Sequence, residues 1–299
     1  MATHENANAN SVLLNDLLYD ILSRLSVKTL LQCRSVCKSR LSLISSPEFI
    51  KIYNSRFTQH RLVMSQTFYL PHVEFEGLIL EHLWLKSCSL YSLLNESVTD
   101  AIQLDLYPMK FKDRFTYVVG CCHGLVCLAG YDGCALLWNP TTKKSRKLPQ
   151  LTLSRRGHEL VVCGFGYDES KDDYKVFSFF TGHTGFCRFW VYSLKSDCWR
   201  MIENLTVTSL WDMGKLAHGA LNWVVQREPC FIVSIAVKTE MYREITVPEH
   251  QKDSDTLALH TLGENLCVVH YVWSSHAADI WIMNEYVNSV SGPAFTHLN

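Results

Sequence analysis

The segment from Trp138 to Leu148, WNPTTKKSRKL, decides how the rest of the chain is read. Apolar ends flank a polar, turn-forming middle, which is the grammar of strand, turn, strand. Two later segments match it: YSLKSDCWRMI from Tyr192 to Ile202, and IAVKTEMYREI from Ile235 to Ile245. Arg146, Arg200 and Arg243 align at separations of 54 and 43 residues, and Leu148, Ile202 and Ile245 follow two places later in each copy. A hairpin that returns at this spacing with its internal offset kept is what successive propeller blades of about 40 to 50 residues produce.

Outward from these hairpins the chain keeps the same grammar from about Phe115 onward. Short β-rich runs occupy Phe115 to Val119, Leu125 to Ala129, Ala135 to Trp138, Leu160 to Cys163, Tyr174 to Phe180, Phe189 to Ser193, Leu221 to Val225, Phe231 to Val237, Leu266 to His270 and Asp279 to Met283. Turn clusters separate them, among them Tyr131-Asp132-Gly133, Asn139-Pro140-Thr141 and Lys195-Ser196-Asp197. Evenly spaced short strands predict an all-β sandwich or propeller.

Upstream the period changes from two to about 3.6. Leu17, Leu18, Ile21, Leu22 and Leu25 form one broad apolar stripe, with Asn15 or Asp16 placed to cap its helix. Ser26 is placed to cap a second helix carrying Leu30, Leu31, Cys33, Val36 and Cys37. In Ser46-Pro47-Glu48 the serine suits the cap, the proline the first helical position and the glutamate the positive helix end. Three or four short helices are expected over residues 11–57, with more apolar surface than so small a unit can cover.

Composition bounds the function. In 299 residues, 47% hydrophobic and 19% charged residues exclude a mainly disordered chain. A net charge of −1 gives no basic surplus for nucleic acid or anionic membranes, so neither is expected as a partner. Residues 1–10 are polar and Asn/Ala-rich, which predicts a disordered N-terminus without a signal peptide. No stretch reaches the roughly 18 apolar residues of a membrane span, so a cytoplasmic or nuclear setting is expected. The twelve cysteines include no Cys-x-x-Cys pair and read as buried, reduced thiols.

No chemistry stands out. Gly164-Phe165-Gly166 lacks the third glycine of a dinucleotide fingerprint and falls in a turn context. Cys121-Cys122-His123 opens a strand and reads as packing rather than as a nucleophile or metal set. Asp168-Glu169 with Asp172-Asp173 lacks calcium-loop spacing and reads as a solvated turn. Lys143, Lys144, Arg146 and Lys147 read as a wet hairpin, with contact to an acidic partner as the other reading. No catalytic, cofactor-binding or metal-binding residue is assigned, and the chain is not expected to be an enzyme.

The motifs also carry a family likeness. NDLLYDILSRLSVKTLLQCRSVCKSRLSLISSPEFI, from Asn15 to Ile50, resembles a plant F-box. VGCCHGLVCL (Val119 to Leu128), LWNPTTKKSRKLP, GFGYDESKDDYKV, VYSLKSDCWRMI and the stretch from Asp279 to Tyr286 resemble, in order, the F-box-associated, kelch-like interaction domain. The resemblance implies the substrate receptor of a Skp–cullin–F-box ubiquitin ligase. Its F-box would dock a Skp-type adaptor, and through it a cullin–RING ligase, while its β-domain binds an unidentified protein for ubiquitination. It further implies adaptor docking through Leu14, Leu17, Leu18, Ile21, Leu22, Leu25, Val27, Leu30 and Leu31. The S-locus F-box proteins of pollen share this layout, which puts self-incompatibility among the implied roles. The competing reading is a propeller-like enzyme or sugar-binding module with a helical cap.

Three positions depart from the resembling F-box pattern. Leu14 and Ser26 stand where it has Pro, and Arg40 stands where it has Trp, which exchanges an apolar anchor for a charge. The expected organisation is a disordered segment at 1–10, an F-box helical domain at 11–57, a connecting segment with first strands at 58–114, and the β-domain at 115–299. That β-domain is expected to be propeller-like and, because the resembling family commonly continues well past the Glu-Tyr element whereas the tail Val287 to Asn299 is short, either incomplete at its C-terminus or closed differently.

Overall fold

A computed structural model describes residues 17–56, 61–69, 81–89, 100–104, 117–130, 134–151, 160–181, 187–202, 210, 212–225, 229–247, 256–272, 277–285 and 294–298. Leu14, the cap at Asn15 or Asp16, the turn at Tyr131 to Gly133, the side chain of Val27 and the tail from Val287 to Gly292 lie outside them. Two compact units divide the chain: residues Met1–Met64 with Leu85–Leu104, and Ser65–Trp84 with Asp105–Asn299.

Among its described residues the first unit carries four short helices: α1 over residues 17–23, α2 (Val27–Arg34), α3 (Lys38–Ile44) and α4 (Pro47–Arg56). The Ser26 hydroxyl accepts a hydrogen bond from the Thr29 amide at 3.3 Å, and Ser46 accepts one from Phe49 at 3.2 Å, as their cap positions predict. The single helix expected through Cys37 is instead two. Its carbonyls are closed off by the Ser35 amide, which donates to Gln32, and the Val36 amide, which donates to Cys33, and Cys37 is extended at φ −158°. Arg34 and Lys38, spaced for one helix face, therefore belong to different helices. Leu22, Leu30, Ile44, Phe49 and Tyr53 form the interior. Tyr53 ties α4 to the end of α1 by donating its hydroxyl to the Leu25 carbonyl at 2.8 Å.

Next come β1 (Arg61–Tyr69), β2 (Glu81–Ser89) and β3 (Ile102–Gln103), paired in that order as a small sheet. After it the described residues make four antiparallel meanders of four strands each. Blade 1 holds β4 (Tyr117–Cys122), β5 (Leu125–Ala129), β6 (Ala135–Asn139) and β7 (Lys144–Lys147). Blade 2 holds β8 (Leu160–Asp168), β9 (Asp173–Thr181), β10 (Cys187–Ser193) and β11 (Cys198–Ile202). Blade 3 holds β12 (Lys215–Ala217), β13 (Ala220–Val225), β14 (Phe231–Ala236) and β15 (Tyr242–Thr246). Blade 4 holds β16 (Thr256–Leu262), β17 (Asn265–Val272), β18 (Ala277–Glu285) and β19 (Ala294–Leu298). The architecture is helices followed by a four-bladed, propeller-like β-domain, and its last blade has four strands like the others.

Strand alternation builds this arrangement. Along β9, Val176 and Phe180 join the core with blade 1, while Phe177 and Phe179 join the core with blade 3. Along β13, Leu221, Trp223 and Val225 face blade 2 and Val224 joins the core with blade 4. A strand that is apolar on both faces needs a neighbour on both, and stacking blade on blade supplies them. Gly164 and Gly166 are not in a turn, as their spacing suggested, but within β8. A Cβ on Gly164 would stand 2.7 Å from Trp223, and one on Gly166 2.9 Å from Val237, so these glycines let blade 3 approach closely.

Candidate functional site

The helical unit exposes apolar side chains, and the β-domain carries a series of tight, left-handed turns. On the helical unit Leu17, Ile21, Val36, Leu41, Ile50 and Ile52 are exposed. The sequence-derived docking set divides between surface and interior. Leu17 and Ile21 lie outside at 54% and 55% exposure, whereas Leu22 and Leu30 lie inside at 2% and 5%. Leu18 and Leu25 pack half-buried against that interior, and Leu31 is half-buried. The difference follows from helix geometry. Positions 17 and 21 share one line of α1, and positions 18, 22 and 25 share the neighbouring line that meets Phe49 and Tyr53. Val36, Leu41, Ile50 and Ile52 were not in that set, and the break between α2 and α3 is what turns Val36 outward. Arg40 is half-buried on α3.

In the β-domain the aligned hairpins occupy matching registers. Arg146 pairs with Leu137, Arg200 with Val191 and Arg243 with Ser234, each on the fourth strand of its blade. Three residues before each arginine the backbone turns left-handed, at Lys143 (φ 57°), Asp197 (φ 52°) and Glu240 (φ 60°). In two cases the arginine reaches the acid at that position in the next blade. Arg146 pairs with Asp197 at 2.9 Å, and Arg200 pairs with Glu240. The turns close on their own side chains: Asn139 accepts from the amides of Thr141 and Thr142, and Ser193 from that of Ser196.

The acidic run from Asp168 to Asp173 is a turn whose middle, Glu169 to Asp172, is exposed as its composition suggested, while its two ends are buried. Asp168 and Asp173 are 1% and 5% exposed. Lys175, itself buried, donates to Asp168 at 2.8 Å, to Glu240 of blade 3 at 2.8 Å and to the Val237 carbonyl at 2.9 Å. Burial pulls the Asp168 carboxyl up, but hydrogen bonds from Lys175 and Ser170 and the charge of Lys175 outweigh it and hold the group at about 2. Asp173 accepts from the Ser193 hydroxyl and the Lys195 amide. Beside this network His123 packs edge-on to Tyr167 at 4.6 Å between ring centroids. Tyr167 donates to Asp172, which pushes its hydroxyl up to about 12. His218 in the matching turn of blade 3 meets Asn265 of blade 4 at 3.1 Å.

The buried thiols of the β-domain are shifted away from reactivity. Burial and the neighbouring Cys121 push the Cys122 thiol up to about 11, and burial pushes Cys163 to about 11 and Cys127 well up as well. A nucleophile needs the opposite shift. In blade 4, His270 and His297 converge on Asp279 at 3.7 and 3.3 Å, a grouping with no sequence signature. Among the described residues no group of three or more His, Cys, Asp or Glu side chains is placed to hold a metal ion. No helix among them is long and apolar enough to cross a membrane.

Comparison with known proteins bears on both the helical unit and the β-domain. A family model of the F-box domain matches residues 11–52, and one described as the F-box associated beta propeller domain matches residues 79–294. An F-box/kelch-repeat protein of Arabidopsis thaliana is 31% identical over 283 residues, covering 91% of this chain and 75% of that one. The F-box protein CPR1 of the same plant is 29% identical, covering 91% and 69%. Among solved structures, the complex of the fission yeast SREBP–SCAP binding domains matches at TM-score 0.34 and 6% identity, over 82% of this chain and 80% of that one, which is too low to carry an argument.

Proposed function

The chain belongs to the plant F-box proteins that carry an F-box-associated β-propeller domain, and from that premise we propose that it is the substrate-recognition subunit of a Skp–cullin–F-box ubiquitin ligase. The observation that carries this reading is the coincidence of the F-box match with a helical unit that leaves six large apolar side chains exposed. So much apolar surface on so small a unit suits a partner's apolar face. Leu17 and Ile21 would make direct contact with the Skp-type adaptor, together with Leu14, Leu18, Leu25, Val27 and Leu31. Leu22 and Leu30 would hold α1 and α2 in place from inside.

The β-domain would hold the target. Turns and outer edges fixed by polar networks on rigid blades are suited to presenting specific contacts. The receptor needs no chemistry of its own. It raises the effective concentration of target lysines at the cullin–RING ligase, which carries out the transfer. A cytoplasmic or nuclear setting goes with this role.

The test is affinity capture of the tagged full chain from plant cells, alongside Ile21→Asp. Wild type is expected to recover a Skp-type adaptor. The variant, with a charge placed in the contact and the interior untouched, is expected to lose it. A folded wild-type chain that recovers no adaptor would overturn the reading.

A further inference from the structure

We propose that the outer edge of blade 1, strand β7 with the turn before it, binds an acidic, extended segment of a protein partner as a fifth strand. The inference deepens the receptor reading, on which its biological purpose rests, by naming a class of target.

The first observation is the start of the ladder between blades, where blade 1 has no blade before it in the chain. The left-handed turn position carries Asp197 in blade 2 and Glu240 in blade 3, and each takes an arginine from the blade before it. In blade 1 the same position is Lys143, which has the wrong sign for that role. Lys143 and Lys144 are exposed and make no ion pair or side-chain hydrogen bond among the described residues. All four residues of β7, Lys-Ser-Arg-Lys, are exposed. Between Asp132 and Glu159 the chain has six basic residues and no acidic one, although its net charge is −1. The matching strands β11 (CWRMI) and β15 (YREIT) hold no comparable run.

The second observation is the direction of the backbone. Strand β7 is last in its sheet, after β4, β5 and β6. The Leu148 amide donates inward, to the Ala135 carbonyl at 2.9 Å. Peptide groups alternate sides along a strand, so Arg146 and Lys144 also bond toward β6, and the N–H and C=O of Ser145 and Lys147 face outward. An outward-facing strand edge that begins at the exposed Lys143 and Lys144 offers backbone pairing and charge pairing to the same occupant, a carboxylate-rich strand. Edge lysines also discourage self-association of like strands, which favours a partner of opposite charge over a second copy. A nucleic acid could use the charges but not the row of outward peptide groups.

The test is fluorescence anisotropy of a labelled peptide of alternating glutamate and threonine, titrated with the full chain. An alternating lysine–threonine peptide and a single-stranded DNA oligonucleotide of equal length are the comparison probes. The acidic peptide is expected to bind best. Lys143→Glu with Lys144→Glu should weaken it by about tenfold or more. Ser145→Pro removes an outward N–H and no bond to β6, and should weaken it by about threefold or more at unchanged thermal stability. Wild-type binding no better than that of the lysine peptide, DNA binding as tight as the peptide's, or Ser145→Pro binding like wild type would each overturn the proposal. Adaptor capture from the same preparations separates the two readings. Adaptor lost with peptide retained counts against the receptor, and adaptor retained with peptide lost counts against the edge.

Discussion

In the helical unit Leu22, Leu30, Ile44, Phe49 and Tyr53 form a small interior while Leu17, Ile21, Val36, Leu41, Ile50 and Ile52 stay exposed. In the β-domain, strands such as β9 and β13 bury apolar side chains on both faces, because blades 2 and 3 each lie between two neighbours. The difference is geometric. A short helix meets its neighbours along one stripe, and its remaining apolar positions have no cover within so small a unit. A blade gains a second covered face simply by being stacked. The helical unit is therefore left with exposed apolar surface, and the blades of the β-domain cover one another.

The contrast is broken most forcefully at Lys175. Lys175→Met leaves Asp168 and Glu240 buried without their shared cation and should cost about 3–5 kcal/mol. Thermal unfolding should show the loss in the β-domain, with adaptor capture unaffected in the cold. Gly164→Ala puts a methyl group against Trp223 and Leu221 and should cost about 1–3 kcal/mol by the same measurement. A similar change at Gly263, which has open space around it, would show only the strain of its positive φ, 63°.

Acid sharpens the comparison further. The Asp168 carboxyl is lowered from 3.8 to about 2 on folding, so its stabilising contribution is present above pH 4 and disappears as pH falls through about 2. It amounts to about 2 kcal/mol, and Asp168→Asn should flatten that part of the stability–pH profile. The smallest effect belongs to the helical unit. Ser26→Ala removes the cap of α2 and should cost about 1 kcal/mol, read as lower helicity by circular dichroism.

How far the sequence reaches depends on the range of the interactions. Each of the ten β-rich runs overlaps an observed strand, and the three aligned hairpins fall in matching registers, because alternation and turn chemistry act within a few residues. The caps at Ser26 and Ser46 were legible for the same reason. The burial of Asp168 was not, since its partner Lys175 is on the facing strand and the second acid on that lysine, Glu240, lies 65 residues beyond Lys175 on another blade. Gly164 looked like a turn because the residue it makes room for, Trp223, belongs to blade 3. The division of α1 between a buried and an exposed line depended on where α4 packs, which periodicity alone does not give. Strand β7 has no apolar residue to announce it and was visible only through its two aligned copies.

The most direct test is an isothermal titration of a purified Skp-type adaptor into the full chain, wild type and Ile21→Asp, with thermal unfolding of both. The account predicts tight binding by wild type, binding weakened by about a hundredfold or more in the variant, and melting temperatures that agree, because Ile21 lies outside the interior it would otherwise disturb. Equal binding by the two proteins, or no binding by a folded wild type, would contradict it.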